Sequence, residues 1–415
     1  MNSSNQTHIL YVGSYTEMVA GDFGGHGEGI SCFEFDASTG KLKLLNNQFQ
    51  ANPSYLTVAS IKHTNTIELE NTSSKYLFAV SEILASKKPV IHTYTINDNY
   101  TLSLIDTKTI EGGCPCHIHY FKTTEGQSFT ASACYETGNL VIHNVDNIHH
   151  ENKNTISNSN IHESLNIYHK GSSQHPSRQI SAHAHCASFD IQSNKLLVCD
   201  LGLDQVKVYS VQKKNSIDNN KTGNKIEFEV VEEQVILLPA GSGPRHICFD
   251  ENYAYGFVIN ELTGSVTIIK HSAEKKEYEI KGNFDTSGQL SESLKETINE
   301  IEGKSVNIDT DLGGAAIRVS AGGKFIYTSM RSDNTIRLFE FDPIKESLHY
   351  IASYPTGGLT PREFTIDPTG KWLLVAHQDS DTIAIFNVNS SNGTLSLFNT
   401  VENIKSPVCL SWLPK

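Results

Sequence analysis

The sequence contains no run of about 20 consecutive apolar residues, and its first residues carry neither a basic cluster nor an apolar core. We therefore expect neither a membrane span nor a secretion signal, no membrane partner, and a cytoplasmic location. Cysteine is also sparse, with eight in 415 residues, which is too dilute for a disulfide scaffold. Most of the cysteines lie in apolar alternating runs, where free thiols of a reducing compartment are expected.

Positive charge is scarce as well. The 33 lysines and arginines face 46 aspartates and glutamates, a formal net charge of −13, so the basic stripe of a nucleic-acid-binding protein is missing. Arginine is the scarcer of the two basic residues, and its planar guanidinium suits bidentate recognition of an oxyanion. The six arginines therefore mark where an anion site is expected, and they are Arg178, Arg245, Arg318, Arg331, Arg337 and Arg362.

Helical periodicity is nearly absent. Short runs with β-branched or aromatic residues at alternate positions, each closed by Gly, Asn, Asp or Ser, predict an all-β fold. Examples of these predicted strands are residues 9–14, 29–35, 76–80, 90–96, 196–199, 205–210, 325–329 and 335–341.

An internal repeat organises these strands. A unit of four predicted strands that begins at Ala316 is repeated about 45 residues later from Pro361, a length typical of propeller blades. Weaker copies begin at Pro53, Pro115, His183 and Pro244. A lone strand at 406–412 and an incomplete amino-terminal unit complete each other. We predict one domain, 1–415, folded as a seven-bladed β-propeller with four antiparallel strands per blade and a ring closed by the terminal strands in one blade.

Two segments interrupt the repeat, at about 147–180 and 283–312. Residues 149–174 are rich in Asn, Ser and His and predict a long surface connection, while the second segment contains the one predicted helix, at 291–301. Both are interpreted as insertions in the ring.

The inner strands of a propeller line its central channel, and the unusual residues fall there. We place Arg245, Arg318 and Arg362 at equivalent positions of successive units, with His183 and His185 one unit earlier and His117 before them. The strands that follow end in Glu82, Tyr135, Asp200, Asn260, Glu261, Arg331 and His377.

Structural alternatives exist for these residues. The arginines could form salt bridges between blades, and His183 and His185 could be a packed pair or two metal ligands, although no carboxylate lies close in sequence to complete a metal site. Glu261, at a channel mouth facing arginines, is the carboxylate for which we predict a function. We predict no metal and no cofactor.

Two further motifs are read as structural. Cys114-Pro115-Cys116 has the wrong spacing for a CxxC pair, so Cys116 is interpreted as an inner-strand thiol. The glycine-rich stretch 21–29 lacks a following helix and a Lys-Ser/Thr pair, so it predicts a loop and not a phosphate cradle.

In these residues the sequence resembles the seven-bladed propeller lactonases, a family that includes propeller-type 6-phosphogluconolactonases and 3-carboxy-cis,cis-muconate lactonizing enzymes. The resemblance covers nearly the whole chain. Its motifs are YVGSYT at 11–16, NPSYL at 52–56, PCH at 115–117, RQ at 178–179 before HAH at 183–185, GPRH at 243–246, VINEL at 258–262, IRVS at 317–320 and PREF at 361–364.

The resemblance implies an active site formed by His185, Arg245, Glu261 and Arg318. His185 and Glu261 would be the acid/base pair, and the two arginines would hold the substrate anion and the developing oxyanion. It also implies substrate contacts from Ser14, Tyr15, Tyr135, Arg178 and Arg331, to which the predicted channel positions add His117, His183, Arg362 and His377.

Lactone hydrolysis needs a base that deprotonates water near neutral pH and positive charge at the oxyanion, and these residue types supply both. Our first hypothesis is a metal-independent lactonase acting on 6-phospho-D-glucono-1,5-lactone, with a small anionic lactone as partner and the chain a monomer or weak homodimer. The same residues would serve a carboxymuconate-type cycloisomerase. A non-catalytic interaction platform is the other alternative, since fold alone does not decide function.

Overall fold

The computed structural model describes residues 6–63, 72–146, 148, 164–214, 228–284 and 311–414, and 28 β-strands run through them. In chain order they are β1 (Thr7–Ser14), β2 (Ile30–Asp36), β3 (Lys41–Gln48), β4 (Leu56–His63), β5 (Thr72–Val80), β6 (Val90–Ile96), β7 (Leu102–Thr109), β8 (Pro115–Lys122), β9 (Ser128–Cys134), β10 (Asn139–Asn144), β11 (Ser164–Tyr168), β12 (Ala184–Asp190), β13 (Lys195–Asp200), β14 (Gln205–Lys213), β15 (Phe228–Leu237), β16 (Pro244–Phe249), β17 (Tyr255–Asn260), β18 (Val266–Ser272), β19 (Glu277–Phe284), β20 (Gly314–Val319), β21 (Phe325–Met330), β22 (Thr335–Asp342), β23 (Ser347–Pro355), β24 (Pro361–Ile366), β25 (Trp372–His377), β26 (Thr382–Val388), β27 (Leu395–Glu402) and β28 (Pro407–Trp412).

These strands form seven antiparallel sheets of four strands each, which confirms the predicted seven-bladed β-propeller. Blade 1 has the order β28-β1-β2-β3, and blades 2 to 7 are six successive sets of four strands from β4–β7 to β24–β27. A single turn of 3-10 helix, Ala85–Lys87, follows β5. No helix in the described part of the chain has the length and apolar character needed to cross a bilayer.

Both chain ends close the ring. In blade 1, Leu10 pairs with Trp412 and Gly13 with Cys409, so the last strand of the chain is the inner strand beside the first. Each inner strand contacts the inner strands of the two neighbouring blades, including β28 with β4 and β24 with β28. This arrangement confirms the predicted closure of the ring, in which the unpaired edge of each inner strand faces the central channel.

Apolar faces of neighbouring blades form the core. Phe121 and Phe129 of blade 3 are buried with Phe189 of blade 4, and the rings of Phe121 and Phe189 stack with centroids 4.6 Å apart. Similar clusters fill the other gaps between blades, because β-strands in a propeller are buried on both faces except at the outer edge.

One predicted connection is partly wrong. Within 149–174, residues Ser164–Tyr168 form β11, the outer strand of blade 3, and Leu165 pairs with Ile142 of β10. Only one side of an outer strand faces apolar neighbours, so its short Ser-Leu-Asn-Ile-Tyr pattern is weak beside the polar sequence around it. The helix predicted at 291–301 lies outside the described residues.

Candidate active site

The site is built at the start of the inner strands, where the ladder with the next strand contains a register shift in six blades. In four of these blades the extra residue is Cys116, His185, Arg245 or Arg362. A β-bulge leaves one residue out of the ladder and redirects its side chain. The bulges therefore release these four side chains toward one end of the channel.

A second layer comes from residues just after the neighbouring strands. Tyr15, Tyr135, Glu261 and Arg331 directly follow β1, β9, β17 and β21, and Glu82 is the second residue after β5. All of these except Tyr15, and all of the four bulged residues except Arg245, line a cavity of about 290 Å³, the site cavity. Its lining residues are Phe23, Glu82, Cys116, Tyr135, Arg178, His185, Glu261, Arg331 and Arg362.

Glu261 lies at the centre of the charges. Its carboxylate forms ion pairs with Arg178 at 2.5 Å, Arg245 at 2.9 Å and Arg331 at 3.0 Å, and the side chain of Glu261 is only 3% exposed. Burial by itself raises the pKa of this carboxyl, but Arg331, Arg178 and Arg245 together hold it well below its usual range. Glu261 is therefore an ionised carboxylate that keeps three cations in one place.

His185 stands next to this cluster. Its Nε2 is 3.7 Å from Oε2 of Glu261, and its Nδ1 is 3.6 Å from Sγ of Cys116. Burial first, and then repulsion from Arg245, lower the pKa of His185 well below its ordinary value, so the imidazole is neutral at neutral pH. Burial, followed by repulsion from Arg362, lowers the pKa of Arg245 to about 10, which leaves it a cation.

Arg178 reaches the cavity from a segment that we call the strap, residues 169–183. Nε and one terminal nitrogen of Arg178 each donate to the hydroxyl of Tyr135 at 3.3 Å, and the guanidinium also pairs with Asp311. The strap is tied to blade 4 by a buried carboxylate, Asp204, which accepts from Ser173 and Gln179.

Asp204 has a second function in the same loop region. It also accepts hydrogen bonds from the backbone N–H groups of Gly241 and Gly243 at 2.7 Å, just before Arg245.

Sequence reasoning missed Asp204, Cys116 and Phe23 as parts of the site region. Asp204 lies in the turn before β14, and blades 6 and 7 also carry a polar residue at this position, Asn334 and Asp381, so nothing in the pattern distinguishes it.

Arg362 lies on the other side of the cavity. Its guanidinium carbon is 5.5 Å from the centroid of the Tyr15 ring and 5.1 Å from that of Phe23, both within cation–π range. The hydroxyl of Tyr15 donates to Oε2 of Glu82 at 2.7 Å. Phe23 belongs to the glycine-rich loop 21–29, which was predicted to be a loop without a function.

Arg318 is not part of this cavity, contrary to its predicted equivalence with Arg245 and Arg362. Pro244 pairs with Asn260 and Gly314 with Met330, so the residue at the position of Arg245 is Ala315, three residues before Arg318. Small side chains at 314–316 carry no pattern, and the prediction aligned the next arginine instead.

The observed place of Arg318 is a second cavity of about 560 Å³ toward the other end of the inner strands. There it donates to Glu363 at 2.7 Å and lies 5.9 Å from the centroid of the Phe364 ring. Three buried rings, Tyr55, His117 and His246, pack against one another between the two cavities, with centroids 4.1 to 5.8 Å apart. We call these three rings the plug.

Six other predicted residues also lie outside the lining of the site cavity. Tyr15, Arg245 and His183 form a second row, because each contacts a lining residue: Glu82, Glu261 and Tyr135 respectively.

The other three lie further away. His117 belongs to the plug and lines the second cavity. Ser14 and His377 are the last residues of β1 and β25 and pair with Pro407 and Pro361 in the ladders. A strand end cannot be fixed to one residue from its alternation, so the sequence could not exclude them.

His183 and His185 have separate partners. Nδ1 of His183 donates to the carbonyl oxygen of Tyr135 at 2.7 Å, and the two rings stack with centroids 4.4 Å apart, whereas His185 faces Glu261. Within the described residues no three His, Cys, Asp or Glu side chains are grouped as metal ligands.

Comparison with known proteins matches this arrangement to one family. The family model described as lactonase, 7-bladed beta-propeller, matches residues 9–412. A protein named 6-phosphogluconolactonase from Formosa agariphila is 28% identical over 93% of this chain and 94% of its own length. Another with that name from Bacillus subtilis is 26% identical over 98% of both chains.

Solved structures show the same fold. A candidate 6-phosphogluconolactonase from Bacteroides fragilis superposes with a TM-score of 0.75 at 23% identity, covering 100% of both chains. A periplasmic gluconolactonase from Pseudomonas aeruginosa gives a TM-score of 0.73 at 23% identity, covering 98% of this chain and 99% of its own. With a family model that spans nearly its whole length and a propeller whose channel holds the site described above, this chain belongs to the lactonase family of seven-bladed β-propellers.

Proposed function

We propose that this lactonase hydrolyses 6-phospho-D-glucono-1,5-lactone to 6-phosphogluconate, a reaction of the pentose phosphate pathway. The observation that carries the proposal is the buried Glu261 carboxylate with three arginines, beside a neutral imidazole, in a cavity of about 290 Å³. That volume is close to the lower limit for small-molecule sites. The names of the relatives from Formosa agariphila and Bacillus subtilis support the substrate.

His185 is the general base of this proposal. The imidazole is neutral and can take a proton from water, whereas the carboxylate of Glu261 is held in ion pairs with three arginines. The role of Glu261 is then to position the arginines. This division of labour replaces the predicted acid/base pair of His185 and Glu261.

Arg245 and Arg331 supply the positive charge for the oxyanion. Water adds to the lactone carbonyl carbon as its proton passes to His185, and the carbonyl oxygen becomes an anion beside the guanidinium groups. The bond between this carbon and the ring oxygen then breaks, and His185 returns the proton to the departing ring oxygen. The product acid ionises, so each turnover releases one proton to solvent.

In this proposal Arg331 has the oxyanion-binding role that was predicted for Arg318, and a pair of variants tests this. We expect Arg331→Gln to lower kcat/KM about 100-fold, as loss of an oxyanion donor does, and Arg318→Gln to change it less than about 3-fold. Acid release from freshly generated lactone, corrected for spontaneous hydrolysis, measures both. Equal losses in the two variants, or no activity of the parent above the spontaneous rate, would sink the proposal.

The interaction-platform alternative places its distinctive residues on an outer face. Here the side chains of Arg245 and Glu261 are each 3% exposed and lie within the channel, which favours a small ligand. A cytoplasmic location remains part of the proposal, since a phosphorylated sugar is an intracellular metabolite and all eight cysteines are free thiols.

A further inference from the structure

The six arginines differ in their partners. Arg178, Arg245 and Arg331 pair with Glu261, Arg318 pairs with Glu363, and Arg337 pairs with Asp333. Among the residues that the structure describes, no carboxylate lies within ion-pair distance of Arg362.

This lack of a partner is unusual because Arg362 is only 8% exposed. A buried cation without a counter-ion costs folding free energy, so proteins seldom keep one without a use. The rings of Tyr15 and Phe23 lie 5.5 and 5.1 Å from its guanidinium carbon and hold the group by cation–π contact, which occupies its faces and leaves its N–H donors at the edge.

Arg362 lies across the ring from His185. His185 belongs to blade 4, whereas Arg362 belongs to blade 7, three blades further on, and contacts residues of blade 1. Both side chains line the site cavity, together with Glu82 of blade 2. A ligand whose carbonyl carbon lies beside His185 can therefore reach Arg362 with its far end.

The neighbouring groups suit a sugar that ends in an anion. Oε2 of Glu82 accepts from the hydroxyl of Tyr15, and Oε1 has no hydrogen bond from a described residue, so it can accept one from a sugar hydroxyl. Burial raises the pKa of Tyr15 well above its ordinary value, so this hydroxyl stays neutral. The cavity thus offers an acceptor and a free planar donor at the end remote from the lactone carbonyl.

We propose that Arg362, held between Tyr15 and Phe23, binds the 6-phosphate of the substrate and so selects phosphorylated over neutral sugar lactones. The inference rests on the proposed lactonase function, to which it adds the residue that recognises the phosphate. A planar guanidinium binds a phosphate monoester through two parallel hydrogen bonds, and these charged bonds are absent with a neutral lactone.

Two lactones test the inference. We expect Arg362→Gln to lower kcat/KM about 10- to 100-fold for 6-phospho-D-glucono-1,5-lactone but less than about 3-fold for D-glucono-1,5-lactone. Arg362→Lys keeps the charge and should restore part of the difference. Lys87→Gln removes one exposed positive charge, which pairs with Glu17, and is the control for net charge, with both lactones unchanged. An equal loss on both lactones in Arg362→Gln would overturn the inference.

A binding measurement keeps the inference testable whether or not the lactone is hydrolysed. By calorimetry in phosphate-free buffer, the parent should bind 6-phosphogluconate more tightly than gluconate, and Arg362→Gln should lose that difference. Glucarate, which carries a carboxylate at the same end, separates the two oxyanions. Equal affinity of the parent for 6-phosphogluconate and gluconate, or tighter binding of glucarate than of 6-phosphogluconate, would contradict the phosphate assignment.

Thermal unfolding separates a binding effect from misfolding. Because Arg362 forms no ion pair with a described carboxylate, Arg362→Gln breaks none, and its Tm should stay close to that of the parent. A marked fall in Tm would show that Arg362 has a structural role, which would contradict the inference.

Discussion

The thiol of Cys116 determines how His185 meets the cavity. Its S–H donates to the carbonyl oxygen of His185 at 3.4 Å, while Sγ lies 3.6 Å from Nδ1 of the same residue. The general base proposed above requires the tautomer with the proton on Nδ1, where sulfur can accept it, so that Nε2 carries the lone pair. Cys116 is a positioning residue in this arrangement, because it acts through the imidazole.

Replacing this thiol should change turnover more than binding. We expect Cys116→Ala to lower kcat about 10-fold with KM nearly unchanged, because the imidazole loses its preferred tautomer, while Cys116→Ser keeps a donor and acceptor and retains most activity. Steady-state kinetics from pH 5 to 8 would measure this. A parallel fall of kcat in both variants, or a change confined to KM, would contradict the tautomer role.

For single residues, the sequence predicted which residue types form the site better than it predicted where each residue lies. His185, Arg245 and Glu261 meet as expected, since the bulge occurs in the same place in their blades. Arg318 was misplaced, because Ala315 and Ala316 give no signal that fixes the register. Contacts such as the one between Cys116 and His185 join residues 69 positions apart and depend on packing that a repeat pattern does not contain.

The strap at 169–183 contains no strand, yet it positions Arg178, an arginine of the site. At its start, Nδ1 of His169 lies 2.6 Å from Asp200, and at its end Asp200 accepts the N–H of His183 at 2.8 Å. Asp204 holds the middle, through Ser173 and Gln179. Two buried carboxylates thus fix a segment that was predicted as part of an insertion.

Loss of the Asp204 carboxylate should loosen the strap and the turn before Arg245 together. We expect Asp204→Asn to lower the free energy of unfolding by about 1 to 3 kcal/mol, since at least one buried N–H loses its acceptor. It should also raise KM, because Arg178 and Arg245 lose their fixed positions. Hydrogen exchange across 169–183 and 239–246, with Asp250→Asn as a control carboxylate in another turn, would measure the coupling. Unchanged exchange in both segments would contradict it.

The inner and middle strands were predictable because burial on both faces gives long apolar or alternating runs. The outer strands were less predictable from the sequence. β11 has one apolar side and a short length, and β3 and β27 are largely exposed. Bulges do not show in the pattern at all, since one extra residue leaves the composition of a strand unchanged.

Across the whole molecule, buried histidines link folding to pH. Burial lowers the pKa of His377 to about 4 and holds the pKa values of His117, His185 and His246 well below the ordinary value near 6.5. As pH falls below 6.5, the unfolded chain binds protons that the folded chain does not. Folded-state stability is therefore unaffected above this pH and decreases below it.

We expect the free energy of unfolding to fall between pH 6.5 and 5, a range above the ordinary titration of carboxylates. Each fully buried histidine contributes about 2 kcal/mol over this interval. His377→Asn, whose amide can replace the contact of Nδ1 with Thr382, should reduce the slope, while His26→Asn on the surface should not. Denaturant titrations at several pH values measure it, and a flat profile in the parent would refute the expectation.

The pairing of β28 with β1 has a consequence for the time at which the molecule becomes complete. A ribosome adds about 5 to 20 residues per second, so the amino-terminal strands of this 415-residue chain emerge roughly 20 to 80 seconds before their partner. During synthesis blade 1 therefore waits as an unfinished sheet with one edge uncovered. The newborn chain is most exposed to wrong partners at blade 1, and the emergence of β28 allows the final step of assembly.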